Sequence, residues 1–235
     1  MKTTWRVEIP QLAVLGLMFV GAAVTLPTAP ERVPIHWGVT GRPDGYAAAF
    51  PGLFAIPAIT LATYLLLLVI PAIDPGRANY ATFADVYLFV RRLILAFFAV
   101  IDAVVLLAIR GVAVDVSLVI PLVVGALLVL LGNVMGKIRP NWFVGIRTPW
   151  TLSSKLSWTR THAVGGRVFV VVGLAFLLAP LSRATGLGSP ALWSRVDLAV
   201  VAVGVVFLVV YSYLVWRSDP ERVPPAGTLP SDGHG

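Results

Sequence analysis

GLFAIPAITLATYLLLLVIPAI, residues 52–73, runs for 22 positions without a charged side chain. At about 1.5 Å per residue, roughly 20 apolar residues of helix cross the ~30 Å hydrocarbon core of a bilayer. A helix on the surface of a soluble protein would need a polar face, and this stretch has none. Pro57 and Pro71 fall inside it, which membrane helices tolerate better than soluble ones do. The stretch reads as a transmembrane helix.

Five further largely apolar runs lie on either side, at residues 10–28, 86–109, 112–135, 164–181 and 196–216. The chain is therefore expected to be an all-α, polytopic membrane helix bundle of about six spans. Composition agrees: 58% of the 235 residues are hydrophobic and 12% are charged, about half the charged share of a soluble domain. Lys2 and Arg6 precede the first run as they would in a signal peptide. No small-x-small cleavage site precedes the Pro-rich stretch 27–34, so the run is expected to stay as a span.

A net charge of +7 would point toward nucleic acid in a soluble protein. Here the basic residues flank hydrophobic runs, so topology and anionic head groups account for them and no direct nucleic-acid partner is expected. With the N-terminus inside, thirteen of the 18 Lys and Arg residues fall on the cytoplasmic side and five outside. That asymmetry predicts both termini in the cytoplasm. The chain has no cysteine, which removes disulfides and thiolate chemistry.

Residues 1–75 read as a two-span region with an outer loop at 29–51. Residues 76–217 read as a four-span region with an inner loop at 136–163, and 218–235, rich in Pro, Gly, Ser and Asp, read as a disordered tail. No sequence repeat relates the two halves, so the inverted-repeat sign of a transporter is missing.

In the outer loop, Gly41 and the Asp44-Gly45 pair mark tight turns, and the prolines force extended backbone. Trp37 and Tyr46 suit the head-group layer. His36 and Asp44 form either a hydrogen-bonded turn pair or half a metal site. A metal needs at least three good ligands, and with two the turn reading is preferred.

The inner loop carries more. Gly132 and Gly136 form a small-xxx-small pair that permits close helix approach, and Asn133 between them is expected to need a polar partner. Pro149 disfavours helix at Thr148, so residues 145–150 should be an irregular turn. Ser153 or Ser154 then caps a short helix on which Trp158 and His162 are four apart and share a face. Arg147, able to bond in a fork, stands just upstream. This helix is either an interfacial element with its basic residues on lipid phosphates or a specific binding surface.

Asp102 lies within the third run. An ionised Asp at mid-helix costs roughly 2.5–3.5 kcal/mol on insertion scales, so it must be neutral, paired or facing water. Arg110 is eight residues away, about 12 Å along the axis, too far to pair directly. A structural polar contact and a ligand or proton site both remain open. Metalloprotease, nucleophile-elbow, P-loop and dinucleotide motifs are all missing, and no enzyme is expected.

The string Asn133…Lys137…Asn141…Gly145-Ile146-Arg147-Thr148-Pro149-Trp150-Thr151-Leu152-Ser153…Trp158…Thr161-His162 resembles the signature region of the SdpI family. The outer loop, with Pro34, His36-Trp37, Gly41 and Asp44-Gly45-Tyr46, is similar to the uncharacterised domain common at the N-terminus of those proteins. Gly38 and Ala163 depart from the residues often found there. The resemblance implies a non-catalytic protein of the bacterial cell membrane, without cofactor, that gives immunity to a membrane-active peptide toxin. For some members it also implies sequestration of a cytoplasmic repressor. The rivals are a small-solute transporter or channel using Asp102, Asn133 and Arg167, and an intramembrane enzyme using His162 as its acid–base group.

Overall fold

The computed structural model describes residues 5–38, 41–186 and 188–223, and among them six helices are long and apolar enough to cross a membrane. In chain order the elements are α1 (Trp5–Thr25), β1 (Arg32–Trp37), β2 (Pro43–Ala48), α2 (Ala49–Ile73), α3 (Ala84–Ile109), α4 (Val116–Met135), the one-turn α5 (Pro149–Leu152), α6 (Lys155–Ala184) and α7 (Pro190–Arg217). The expected all-α membrane bundle is correct. Part of the tail expectation, residues 224–235, lies outside the described residues.

The spans alternate in direction. Along α1 and α3 the contacts climb together: Glu8 with Arg91, Leu15 with Leu95, Gly21 with Leu106 and Thr25 with Arg110. Those between α1 and α2 run in opposite senses, Glu8 with Tyr64 and Phe19 with Phe54. The outer loop therefore caps one end of the bundle (the hairpin end) and the inner loop the other (the motif end).

The tightest seam joins α4 to α6. A Cβ on Gly132 would sit 2.6 Å from the Gly166 carbonyl, and one on Gly125 2.7 Å from that of Gly173. Seven-residue spacing on both antiparallel helices puts bare backbone against bare backbone twice, the small-residue packing that membrane helices use in place of a hydrophobic driving force. Gly132 was expected in such a contact, but its partner along α4 is Gly125. A Cβ on Gly136 would meet Ala163 at an ordinary 3.6 Å.

Prolines within spans leave carbonyls free, because they lack the N–H that would bond four residues back. Pro71 frees the carbonyl of Leu67, and the Tyr87 hydroxyl of α3 donates to it at 2.6 Å. The outer loop departs from a purely helical picture. Its prolines and turns make an antiparallel hairpin, irregular around Ile35, with Pro34 opposite Tyr46 and His36 opposite Gly45. Pro34 has no N–H to give, and the Arg32 Nη2 donates to the Tyr46 carbonyl at 3.3 Å. Val33 is fully buried, seated where Gly52 leaves room for it.

Several boundaries differ from expectation, α1 and α7 beginning at Trp5 and Pro190 instead of 10 and 196. The fourth span starts at Val116, capped by Asp115, whose side chain accepts from the Leu118 N–H. The fifth begins at Lys155 rather than 164, so the short helix bearing Trp158 and His162 is the first part of α6. Nothing between 155 and 164 breaks a helix, and polarity alone had suggested an end there. The tail is ordered at its start: Asp219 is buried and accepts from the Ser154 hydroxyl at 2.5 Å, while the Val223 N–H donates to the Ser153 carbonyl.

Candidate functional site

The motif residues fold into a clasp at the motif end. Asn141 is its hub. The Nδ2 group donates to the carbonyls of Arg139 and Val144, and Oδ1 accepts from the N–H groups of Phe143 and Val144. One buried side chain thereby satisfies a turn that has no ladder of its own. Asp74, at the end of α2, reaches the same place: it accepts from the Tyr80 hydroxyl at 2.8 Å and the Trp142 N–H at 3.0 Å. Asn79 donates to the Pro140 carbonyl at 2.7 Å. The α2–α3 connection and the inner loop are thus bonded into one layer.

Gly145 has φ +117°, in the region that only glycine adopts freely, and any Cβ there would collide with the His162 ring. This opening lets the Ile146 N–H donate to His162 Nε2 at 2.9 Å, while Nδ1 donates to the Trp158 carbonyl at 2.8 Å. An accepting Nε2 and a donating Nδ1 define the neutral Nδ1–H tautomer. The ring stacks on Trp158 at 4.1 Å, and the Trp158 indole N–H donates to the Ile138 carbonyl. His162 is buried with both nitrogens engaged, so it is a fastener for the loop and has no nitrogen free for acid–base chemistry.

Thr148 and Thr151 form a reciprocal capping box on α5, with Pro149 in its first turn. Residues 145–150 were expected to be irregular, yet Pro149 starts a helix here, as Pro commonly does. The Thr148 hydroxyl bonds Ser212 on α7 at 3.0 Å, and Trp150 packs edge-on to Tyr213. Thr161 is fully buried, its hydroxyl without a partner among the described residues. Arg147, in contrast, is exposed and makes one long bond, 3.4 Å, to the Phe143 carbonyl. Lys137 is exposed too. Asn133 is exposed on α4 and has no hydrogen-bond partner among the described residues, so its expected polar partner is corrected.

At the hairpin end, His36 Nδ1 and Asp44 Oδ1 are paired, with side chains 71% and 54% exposed, and Tyr46 is half exposed. Trp37 is partly buried. A Cβ on Gly45 would stand 2.8 Å from that of His36, so the cross-strand pair requires glycine. No group of three or more His, Asp or Glu residues able to hold a metal occurs among the described residues.

Asp102 is buried on α3 and has no hydrogen-bond partner among the described residues. It lies toward the hairpin end, whereas Asn133 and Arg167 are exposed toward the motif end. The three polar groups of a solute path are not brought together.

Sequence reasoning missed the most conspicuous polar contact. Glu8 on α1 receives Arg91 of α3 through two bonds, 3.1 and 2.7 Å, together with the Tyr64 hydroxyl of α2 at 2.9 Å and Gln11 at 3.0 Å. Arg91, one of the thirteen basic residues assigned above to the cytoplasmic side, is buried. The available signal was an acid two residues before the first hydrophobic run and a base inside the third, charges that at a membrane edge are stabilised by pairing.

The six apolar helices, with all elaborated polar structure at their two ends, define a multi-pass membrane protein. Residues 137–214 match the SdpI/YfhL protein family, and residues 13–61 match a domain of unknown function, DUF1648. The C-terminal third of the chain is thus an SdpI-family region, preceded by a DUF1648 region. It is 28% identical over 179 residues to the immunity protein SdpI of Bacillus subtilis, covering 76% of this chain and 83% of the relative. No solved structure matches it.

Proposed function

We propose that this protein is a non-catalytic bacterial immunity protein that protects against a membrane-active peptide and meets that peptide at the hairpin end. The observation carrying this reading is the contrast between the ends. The motif end uses its polar side chains on its own backbone, while the hairpin presents His36, Asp44 and Tyr46 outward on a braced scaffold. A surface held in place before binding loses less freedom on binding, and aromatic anchors often dominate contact energy. The similarity to an immunity protein along most of both chains supports the same reading.

In this reading the hairpin faces outward and both termini are cytoplasmic, so the exposed Lys137, Arg139, Arg147 and Lys155 face anionic lipid. A cytoplasmic regulator would meet the motif end, where an open groove of about 860 Å³ is lined by Trp142, Pro149, Leu152, Leu156 and Glu221. The test is expression in a susceptible bacterium challenged with the purified peptide toxin of a neighbouring strain. Survival above the empty-vector level is expected, with no solute flux when the protein is reconstituted in liposomes. Flux that disappears in Asp102→Asn, without protection, would establish the transporter instead.

A further inference from the structure

We propose that the groove between α6 and α7 is a binding site for one anionic phospholipid, its phosphate on Arg167 and Arg160 and an acyl chain between the helices. The groove has a volume of about 350 Å³ and is walled by Val168, Val171 and Val172 of α6 and Val203, Gly204 and Phe207 of α7, with Arg167 also at its lining. Gly204 makes it possible: a Cβ there would stand 3.1 Å from Val168 and 3.5 Å from Val172, so the backbone itself forms the floor. The volume is at the small end of ligand sites, which run from roughly 300 Å³ upward, and the valine walls offer an occupant no hydrogen bond.

The charge at one end selects the occupant. Arg160, Val164, Arg167 and Val171 follow one another at spacings of three and four, so they form a single stripe on α6. Arg160 and Arg167 are exposed, and among the described residues neither has an ion-pair or hydrogen-bond partner. The Gly132–Gly166 contact sets the level of Arg167 beside the last turn of α4, at the motif-side edge of the apolar layer. A guanidinium at this depth reaches back to the head groups along its own stem. Basic sites between transmembrane helices bind anionic head groups, and guanidinium holds phosphate in a two-pronged geometry. Tyr211, stacked on Phe207 one turn nearer the motif end, suits the same interface. The cationic mouth and apolar trough together match a phospholipid, which carries both chemistries in one molecule. The site is independent of the immunity reading.

The test is native mass spectrometry of the full chain released from detergent, titrated with phosphatidylglycerol, phosphatidylcholine or inorganic phosphate. One phosphatidylglycerol is expected to be retained at least tenfold more tightly than phosphatidylcholine, and phosphate alone should neither bind nor compete. Arg167→Gln with Arg160→Gln should abolish the head-group preference, Arg167→Lys should keep part of it, and Val171→Trp should block the trough for both lipids. Arg160, Arg167 and Val171 are exposed, so unliganded thermal midpoints should match the unsubstituted protein and show that the variants are folded. Equal retention of the two lipids, a preference that survives the double Gln variant, or displacement by phosphate alone would overturn the proposal.

Discussion

Arg91→Met tests whether the buried ion pair holds the first three helices together. The substitution keeps much of the side-chain length but removes both guanidinium bonds to Glu8, at 3.1 and 2.7 Å. Removing one partner of a buried pair costs about 3–5 kcal/mol because the other charge is left uncompensated. Tyr64 and Gln11 still donate to Glu8, and its side chain is 11% exposed, which favours the lower figure, about 3 kcal/mol. At roughly 2–4 °C per kcal/mol for a chain of this size, the thermal midpoint in mild detergent should fall by about 6–12 °C. Glu8→Leu alone should cost a similar amount, since it strands the Arg91 guanidinium. The double variant removes both charges and leaves only Tyr64 and Gln11 without their acceptor, a loss of about 1–2 kcal/mol. It should therefore be more stable than the sum of the single losses by at least about 2 kcal/mol. Strict additivity, or a loss below about 1 kcal/mol for Arg91→Met, would refute the assignment of this pair as the α1–α3 fastener.

Gly145→Ala forces a left-handed backbone onto a residue that resists it and drives a methyl into His162, at a cost of about 1–3 kcal/mol for the backbone alone; the thermal midpoint should drop, and an unchanged one would show that the loop relaxes freely. Gly132→Val should separate α4 from α6 and reduce folded yield, whereas Gly136→Ala, with only ordinary contact ahead of it, should behave as the unsubstituted protein on size exclusion. The hydrogen bond from Ser154, and then the Glu221 N–H, holds the Asp219 carboxyl below the usual carboxylate range. A lowered folded-state value means that the tie is at full strength above the unfolded value, near 4, and weakens as pH falls through the folded one. A fluorophore on Glu221→Cys in this cysteine-free chain should report release only at such acid pH, and Asp219→Asn should remove the step.

The spans were legible because a hydrocarbon core demands about 20 apolar residues and little else imitates that signal. Gly132 and the Trp158–His162 face were legible for a related reason: bare backbone and four-residue spacing have few other uses. The bonding of the clasp was not. Asn141 was noticed, but the layer around it is closed by Asp74, Tyr80 and Asn79, more than 60 residues earlier in the chain. Arg147 drew attention through its chemistry and proved exposed, because charge type does not reveal which way a turn points. The fifth span was started nine residues late, since the first turns of α6 bury Ser157 and His162 in polar contacts with neighbours instead of in lipid. The hairpin, too, depended on a seat that only the folded chain provides, Val33 against Gly52.

The central claim, that the hairpin end meets a membrane-active peptide, is tested most directly by survival of cells carrying Tyr46→Ala, Asp44→Ala or Trp37→Ala, measured beside immunoblots of their membranes. Tyr46 and Asp44 are exposed, so their loss removes little packing, and Trp37, partly buried, is the more demanding case. The account predicts that protection falls at least tenfold while the amount of protein in the membrane stays at the unsubstituted level. Full protection by Tyr46→Ala and Asp44→Ala at normal abundance, or losses that follow abundance in step, would contradict it.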